Sequence, residues 1–347
     1  VREALAARGH ETEFLDLLQM FGEPGPLSFD KILNRISTKA PELFGMMYHA
    51  GAMYSATGVT SPVYLANIRH ARQLREFILA RGYDAVVCSH LFPMETLTFL
   101  RRHEDLPVRC YGVLSDYTCI PFLAETELDG YFLPHEAVRA DCIAAGMPAE
   151  KLIVSGMPVA AKFTAPMTKQ AARELLGLPQ DKRIYLIMTG GIGCGDAVTL
   201  CEAIRRVPDE DALLCVLPGR NEELRTTLEE KYAGHGVLAV PFTDQVPAYM
   251  HAADVLLSKA GGISSAEAAV LGVPLVHTMA IPGVETQNAA FFAAHGMSFF
   301  ARNPDEAARF ADRLIFDAKT RKRMLAAQNA ELPKDAAARI AASLEHS

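Results

Sequence analysis

A glycine-rich turn between two apolar runs is the feature that most limits how this chain can fold. Residues 255–257 have the character of a buried strand, the glycines at 261–262 predict a tight turn, and residues 266–271 predict a short helix. Gly272 is expected to end that helix, and a second apolar strand follows over 274–277. A strand, a turn, a helix and a second strand in this order indicate a parallel α/β sheet.

The start of that helix is suited to bind a phosphate. Ser264 or Ser265 is expected to be its N-cap. Backbone N–H groups and the positive end of the helix dipole then meet at the carboxyl edge of the sheet, where α/β sheets bind ligands. Glu267, expected in the first turn, can reach vicinal ribose hydroxyls. A turn that binds nothing, with a solvated Glu267, fits the same residues, and both interpretations stay open at this point.

Composition indicates a globular protein with room for two domains. The chain has 347 residues, of which half are apolar and 22% are charged. Its 34 basic and 41 acidic side chains give a net charge of −7, which excludes nucleic-acid binding driven by bulk charge. Seven cysteines without a Cys-x-x-Cys pair predict free thiols in a reducing compartment. With no long apolar run and no signal-peptide pattern, we expect a cytoplasmic protein without a transmembrane span.

The first residues have the pattern of the helix of a βα unit. Residues 1–8 resemble the middle of a helix that ends at Gly9, and residues 11–18 predict a strand. In a doubly wound sheet such a helix follows a first strand and its loop. We therefore expect an N-terminal strand and loop to precede Val1.

Residues 21–61 interrupt the α/β pattern with prolines, glycines and a weakly amphipathic stretch over 32–48. Lys31, Arg35 and Lys39 stand beside Met, Phe and Tyr side chains, a combination that suits a helix on an anionic membrane surface. A proline and a glycine interrupt the apolar face, so a helix packed on the N-terminal domain is the alternative.

Two candidate catalytic side chains follow predicted strands in the N-terminal half. His90 follows a strand over 84–89, and Asp116 follows a strand over 108–114. Because the carboxyl ends of parallel strands share one edge of the sheet, either can act as a general base or hold an acceptor hydroxyl. A capping aspartate and a histidine satisfied by its neighbours are the alternatives.

A second βα series is predicted after a domain boundary, which divides the chain into residues 1–160 and 161–347. A strand over 184–188 leads into a glycine loop suited to close approach of a diphosphate, although the dinucleotide fingerprint and the P-loop lysine are both missing. The glycines of that loop are Gly190, Gly191 and Gly193.

Polar groups follow the later strands of the same series. Residues 241–244 have an exposed backbone that can read a nucleobase edge. The helix after 281 opens with mixed donors and acceptors of the kind that sugar hydroxyls need, although its asparagine also fits a local cap. These residues are Glu285, Gln287 and Asn288.

No metal or other cofactor is expected. The sequence Asp209-Glu210-Asp211 has the form of the Asp-x-Asp motif of metal-dependent sugar transferases, but it precedes a strand instead of following one. A solvated turn is the preferred interpretation. No His, Cys and carboxylate cluster has the spacing of metal ligands.

The order of these motifs resembles the monogalactosyldiacylglycerol synthase and processive diacylglycerol glucosyltransferase group of glycosyltransferase family 28, which is related to the peptidoglycan N-acetylglucosaminyltransferase. The C-terminal half carries Met-Thr-Gly-Gly (188–191), Gly-Arg-Asn (219–221), Pro-Phe-Thr (241–243), Ser-Lys-Ala-Gly-Gly (258–262) and Ile-Pro-Gly-x-Glu (281–285). The N-terminal half carries Ser-His-Leu-Phe-Pro (89–93), Ser-Asp-Tyr-Thr-Cys-Ile-Pro-Phe (115–122) and Ser-Gly-Met-Pro-Val (155–159). The resemblance covers nearly the whole chain.

The resemblance implies a GT-B fold, in which two Rossmann-like, doubly wound α/β domains face a cleft and the final helix crosses back to the first domain. A UDP-sugar would be held by the C-terminal domain. The glycine loop would approach the diphosphate, Phe242 and Thr243 the uracil, Glu267 the ribose, and Glu285 and Asn288 the hexose. The remaining expected donor-binding residues are Arg220, Lys259, Gly261, Gly262, Ser264 and Gln287.

The implied reaction transfers a hexose, with inversion and without a metal, to a diacylglycerol-type lipid. Its acceptor would come from the anionic inner face of the cell membrane, beside residues 21–61. Ile120, Leu123 and Ala160 depart from the residues that many members carry. Transfer of N-acetylglucosamine to a polyprenyl-linked or lipid A-type acceptor, a UDP-sugar epimerase, and a non-catalytic UDP-sugar-binding protein are therefore the alternatives.

Overall fold

The computed structural model describes residues 1–20, 36, 40–191, 193, 196–206 and 211–346. The chain divides into two compact units. The first comprises Val1–Pro158, Ile281–Val284 and Asp335–Ser347, and the second comprises Val159–Ala280 and Glu285–Lys334. Within the described residues, no helix combines the length and apolar character needed to cross a bilayer.

The first unit is built on a parallel sheet of four strands in the order β1-β2-β3-β4. Short apolar runs form these strands, and β3 is buried along its whole length. Cys88 pairs with Gly112 and Gly112 pairs with Tyr131, so the carboxyl ends of neighbouring strands lie at one edge. The strands are β1 (Ala85–Cys88), β2 (Arg109–Val113), β3 (Gly130–Leu133) and β4 (Leu152–Val154).

Helices connect and cover these strands. The helix before β1 ends at Gly82, which has a left-handed φ of 63°, and a 3₁₀ segment at Ile68–His70 precedes that helix. The helices are α1 (Arg2–Ala6), α2 (Leu17–Met20), α3 (Pro41–Ser55), α4 (Pro62–Asn67), α5 (Ala71–Arg81), α6 (Leu91–His103) and α7 (Glu136–Ala144).

The strand predicted over residues 11–18 does not form, and that prediction is wrong. Residues 11–16 have no regular structure, and α2 begins at Leu17. None of the side chains at 11–16 is buried, and Phe14 is 70% exposed, so the alternating pattern has no sheet or core to pack against. Glu13 instead pairs with Arg81, at 3.0 Å, and accepts a hydrogen bond from Tyr83.

Helix α3 packs on its own unit along one side and exposes apolar side chains elsewhere. Gly45 is buried against Pro282, where a Cβ would lie 2.6 Å from the proline Cβ. Tyr48 covers Gly283 in the same way, at 2.8 Å. Met46 and Met53, by contrast, are 69% and 76% exposed. The basic residues predicted to accompany this face, Lys31, Arg35 and Lys39, lie outside the described residues.

The second unit contains a parallel sheet of six strands in the order β10-β9-β8-β5-β6-β7. Its central strands are continuous apolar runs, as expected where helices cover both faces. Tyr185, Ile187, Val216 and Leu257 are part of its core. The strands are β5 (Arg183–Met188), β6 (Ala212–Leu217), β7 (Val237–Ala239), β8 (Val255–Lys259), β9 (Leu275–Met279) and β10 (Phe299–Phe300).

Side-chain caps begin most helices here. Asp196 and Asn221 cap the helices that follow β5 and β6. The helices are α8 (Lys169–Leu176), α9 (Ala197–Arg205), α10 (Glu222–Tyr232), α11 (Val246–Ala252), α12 (Gly262–Leu271), α13 (Val284–Ala294), α14 (Pro304–Phe316) and α15 (Ala318–Glu331).

Helix α12 begins earlier than predicted. Gly261 is its N-cap, and neither Ser264 nor Ser265 has that role, so this prediction is wrong. Both hydroxyls donate back to the Gly261 carbonyl, at 3.3 and 2.7 Å, which is the contact that serines inside a first turn make. Gly272 ends the helix as predicted, with a φ of 73°. Glu267 therefore lies in the second turn and not in the first.

The final helix, α16 (Ala336–His346), belongs to the first unit. Its Ile340 is fully buried in a cluster with Tyr111, Val113 and Phe132. Glu345 of the same helix pairs with Arg8. The core of the first unit is thus completed by residues near the other end of the sequence.

Candidate functional site

The second unit has a topological switch point between β5 and β8. From β5 the chain proceeds outward to β6 and β7, and then returns to β8, which pairs with the other side of β5 before β9 and β10 follow. At such a point the loops leave the carboxyl edge in opposite directions and open a crevice for a ligand. The loop after Met188 and the loop after Lys259 border this crevice. The switch point is therefore the candidate donor site.

The glycines of the loop after β5 are required by close backbone contacts. Gly190 has a φ of +78°, and a Cβ there would lie 2.7 Å from Cε of Lys259. The N–H of Arg220, in the loop after β6, donates to the Gly191 carbonyl at 3.1 Å. Gly219, with a φ of +65°, has no room for a Cβ beside this loop. Because the glycines carry no side chains, the two loops can pack closely while the backbone stays accessible to a ligand. Diphosphate sites need this property.

Asn221 holds the third glycine of the loop. Its Nδ2 donates to the Gly193 carbonyl at 3.2 Å, and its Oδ1 accepts from the N–H of Leu224 at 2.9 Å. Asn221 therefore caps α10 and braces the glycine loop at once. Asn221 is a site residue that the sequence did not reveal, although asparagine is a common helix N-cap.

An ion pair lies on the β8 side of the switch point. Lys259, the last residue of β8, donates to Oε1 of Glu285, which lies in the first turn of α13. Glu285 is only 7% exposed. The lysine stem lies over Gly190, so the three residues are packed together at the mouth of the crevice.

Glu267 of α12 is half-buried near Lys162. Burial raises the pKa of its carboxyl to about 7, and the Lys162 charge opposes this rise. Lys162 also donates to the Asp244 carbonyl at 3.1 Å. Glu267 is therefore a carboxyl that changes charge near neutral pH, and Lys162 is a neighbour that the sequence did not reveal.

A neutral histidine beneath α12 holds that helix on the sheet. His277 of β9 is fully buried, its Nε2 lies 2.9 Å from Ser265 Oγ, and its Nδ1 lies 3.1 Å from Ser298 Oγ. Its ring also meets Phe292 edge-on, with 5.6 Å between centroids. Burial lowers the pKa of His277 to about 3, so its imidazole is uncharged at neutral pH.

The expected base-binding residues form a small platform at the surface. The Arg220 guanidinium lies 4.7 Å from the ring centroid of Phe242, which is 57% exposed. Thr243 Oγ1 accepts from the N–H of Gln245 at 3.1 Å. An exposed aromatic ring with a guanidinium against it can stack a nucleobase.

The remaining donor-binding candidates differ in burial. Asn288 is fully buried, and its Nδ2 donates to the Ala260 carbonyl at 3.2 Å, so it anchors the loop after β8. Gln287 is exposed. Of the predicted Asp209-Glu210-Asp211 turn, the structure describes only Asp211, which pairs with Arg183 at 3.4 Å.

The two candidate bases follow adjacent strands of the first unit, as predicted, because β1 pairs with β2. His90 is the N-cap of α6, and its Nδ1 accepts from the N–H of Phe92 at 3.3 Å. Asp116 accepts from Ser115 Oγ at 3.2 Å. Burial, followed by the charges of Asp116 and Cys119, raises the pKa of Tyr48 to about 12. Tyr48 of α3, which the sequence did not reveal as a site residue, is thus a neighbour of Asp116.

Comparison with known proteins matches both halves of the chain. The family model for monogalactosyldiacylglycerol (MGDG) synthase matches residues 1–159, and the model for the glycosyltransferase family 28 C-terminal domain matches residues 194–339. A relative from Bacillus mycoides (strain KBAB4), named processive diacylglycerol beta-glucosyltransferase, is 27% identical over 304 residues, which are 86% of this chain and 76% of the relative.

Solved structures show the same fold at low sequence identity. A complex of Staphylococcus aureus MnaA with UDP has a TM-score of 0.61 and 15% identity, and the match covers 83% of this chain and 82% of MnaA. MurG from Acinetobacter baumannii has a TM-score of 0.57 and 15% identity, with 81% and 78% covered. The fold is therefore GT-B, with two Rossmann-like α/β units, as predicted. The chain belongs to the glycosyltransferase family that contains the monogalactosyldiacylglycerol synthases and the processive diacylglycerol glucosyltransferases.

Proposed function

We propose that this protein transfers a hexose from a UDP-sugar to the hydroxyl group of a diacylglycerol-type lipid, with inversion at the anomeric carbon. The observation that carries the proposal is the switch point of the second unit, where a glycine loop, a helix N-terminus and the Lys259–Glu285 pair meet. The names of the relatives support the choice of substrates, since they include a diacylglycerol glucosyltransferase and a UDP complex.

We propose one orientation for the donor in this site. Its diphosphate lies against the backbone of Gly190 and Gly191 and the N-terminus of α12, which supply N–H groups and a positive dipole end. Its uracil stacks on the exposed ring of Phe242. Its ribose hydroxyls donate to Glu267, and its hexose hydroxyls donate to Glu285. In this arrangement the uracil lies at the surface of the second unit and the hexose lies deeper in the crevice.

The chemistry needs a base and a stabilised leaving group. The lipid hydroxyl oxygen attacks the anomeric carbon while the bond to the UDP oxygen breaks, and the hydroxyl proton passes to Asp116, with His90 as the second candidate. The negative charge that develops on UDP is met by backbone N–H groups and by the dipole of α12. No metal takes part in the proposed step.

Helix α3 is the proposed contact with the membrane. It exposes Met46 and Met53, while its Gly45 and Tyr48 pack on Pro282 and Gly283. Exposed methionines at the surface of a short helix insert into the interfacial region of a bilayer, where they gain free energy from leaving water. We place the protein on the cytoplasmic face of the cell membrane by this contact.

Release of UDP tests the function. The protein is given UDP-glucose, UDP-galactose or UDP-N-acetylglucosamine, with vesicles that contain or lack diacylglycerol. We expect release that depends on one sugar and on the lipid. Asp116→Asn should lower turnover at least about 100-fold and change UDP affinity little. Release without a lipid requirement would refute the acceptor, and equal turnover of the variant would refute the base.

A further inference from the structure

The ion pair between Lys259 and Glu285 joins residues that are far apart in the sequence. Lys259 ends β8, and Glu285 opens α13 after β9 has been completed. Glu285 is 7% exposed, and the Lys259 side chain is 24% exposed. The carboxylate is thus nearly excluded from water, and its charged partner lies slightly closer to the surface.

The backbone fixes the direction of the lysine. The pairing of β8 with β9 is irregular between Ser258 and Lys259, because Ser258 pairs with His277 whereas Lys259 pairs with Met279. A bulge of this kind redirects the side chain that follows it. The redirected stem crosses Gly190, where a Cβ would lie 2.7 Å from Cε and 3.3 Å from Cδ of Lys259. The absence of a side chain at 190 is therefore what gives the lysine its path.

Glu285 depends on this partner for its orientation. A carboxylate removed from water is costly unless a cation or several donors compensate it. Without the ammonium group, Glu285 would lose the donor that orients it and would turn toward solvent. That change would alter the hydrogen-bond acceptors that it offers at the switch point.

We propose that Lys259 is a positioning residue that holds Glu285 ready for the hexose of the donor, an inference that rests on the proposed function. Lys259 acts through Glu285 and does not serve mainly as a counter-charge for the diphosphate. Its ammonium is already engaged by a buried carboxylate, whereas the diphosphate has the backbone N–H groups of the glycine loop and α12 available. The pair thus determines how strongly the sugar adds to the binding of UDP.

Calorimetric titration of UDP and of the UDP-hexose that the wild type binds best tests this role. Lys259→Met keeps an apolar stem over Gly190 and removes the charge. We expect it to lower UDP-hexose affinity about tenfold and to lower UDP affinity far less. Glu285→Gln should give the same selective loss, and the double variant should be no weaker than either single variant. Lys259→Arg, which keeps the charge, should restore part of the difference.

Each other outcome has a distinct meaning. If Lys259→Met weakens UDP and UDP-hexose equally, the lysine serves the diphosphate and the inference is wrong. Additive effects in the double variant would also overturn it. If the wild type gains nothing from the sugar of any of the three donors, the proposed donor itself is wrong, and the inference falls with it. Circular dichroism of Lys259→Arg and Glu285→Gln keeps the comparison on folded proteins should Lys259→Met fail to fold.

Discussion

The backbone of Gly219 lies against the glycine loop so closely that a Cβ at residue 219 would come within 2.8 Å of the Gly191 carbonyl oxygen, and closer still to that of Gly190. The loops after β5 and β6 therefore meet backbone to backbone. Any donor that uses the first loop depends on the second loop for support. Gly190 and Gly219 also have positive φ angles, of +78° and +65°, that other residues adopt only with strain.

Gly219→Ala should therefore damage donor binding as well as stability. The matched control is Gly177→Ala, because Gly177 has the same φ of +65° and open space around its Cβ position. We expect the control to cost about 1–2 kcal/mol of unfolding free energy with unchanged UDP affinity. Gly219→Ala should cost more and weaken UDP binding at least about tenfold. Equal UDP affinity of the two variants would show that the loop contact is not needed.

The raised pKa of Glu267 predicts a pH-dependent affinity for UDP. Because the carboxyl has a pKa of about 7, it is mostly protonated at pH 6 and mostly ionised at pH 8. An ionised carboxylate is the stronger acceptor for ribose hydroxyls, so affinity should rise across this range. Glu267→Gln should remove the rise and weaken binding by about 1–3 kcal/mol at pH 8.

Calorimetry at pH 6, 7 and 8 measures that dependence. Glu223→Gln, at an exposed position of α10, is the control and should leave the pH profile unchanged. A profile that stays steep in Glu267→Gln would assign the titration to another group.

Burial of His277 predicts loss of stability in acid. Its folded pKa of about 3 lies below the ordinary value of 6.5, so the unfolded chain binds the proton more readily. The stabilising contribution is complete above pH 6.5 and is lost as the pH falls toward 3. Denaturant unfolding at pH 7.5, 6 and 5 should show this decline. His277→Gln should cost about 2–3 kcal/mol at pH 7.5 and flatten the decline. His235→Gln, at an exposed site, should keep the wild-type slope.

A buried carboxyl in the first unit predicts the opposite dependence. Burial, with a further contribution from Glu125, raises the pKa of Glu95 from 4.5 to about 8, although a hydrogen bond from Asn67 opposes the rise. Glu125 itself accepts from the N–H and hydroxyl of Ser61, at 3.0 and 2.5 Å. The folded state holds the Glu95 proton, so this contribution to stability is complete below pH 4.5 and is lost as the pH rises to 8.

Glu95→Gln, which mimics the protonated form, should therefore unfold with less dependence on pH between 6 and 9. The difference in unfolding free energy between variant and wild type should grow in favour of the variant as the pH rises. A constant difference would mean that Glu95 is ionised in the folded protein.

The exposed face of α3 predicts a specific loss of membrane binding. Changing Met46 and Met53 together to glutamine should lower partition into anionic phosphatidylglycerol vesicles about tenfold, because two apolar side chains no longer leave water. The matched control is Phe316→Gln, which removes an exposed ring, 65% accessible, from the second unit. UDP affinity should stay unchanged in both proteins. Equal sedimentation of the α3 variant and the control with vesicles would refute the membrane contact.

Local sequence signals predicted several strands and one helix end of this fold. Gly272 ends α12 where it was expected to, because a left-handed residue is a local requirement. The prediction of a strand over 11–18 was wrong because an alternation of apolar and polar side chains indicates a strand only when another element covers the apolar face. The N-cap at Gly261 was missed because serine hydroxyls can bond inside a first turn as well as before it.

Contacts between distant elements could not be predicted from the sequence. His277 offered no signal, since its role depends on Ser265 and Ser298 reaching it from separate elements. The pairing of Lys259 with Glu285 was equally hidden, although both residues had been expected at the donor site. Local propensity places a residue on a strand or a helix, but the partner that gives it a charge state or an orientation comes from tertiary packing.

Because α16 belongs to the first unit, the two units of the nascent chain can fold in an order different from their order in the sequence. Ile340 fills the core beside Tyr111 and Phe132, so this core cannot close until residues 336–346 have left the ribosome. The second unit, whose strands all lie between residues 183 and 300, has its whole sheet available before that moment. During translation the second unit can thus become structured first. The apolar surface of the first unit stays accessible to chaperones until α16 has emerged from the ribosome.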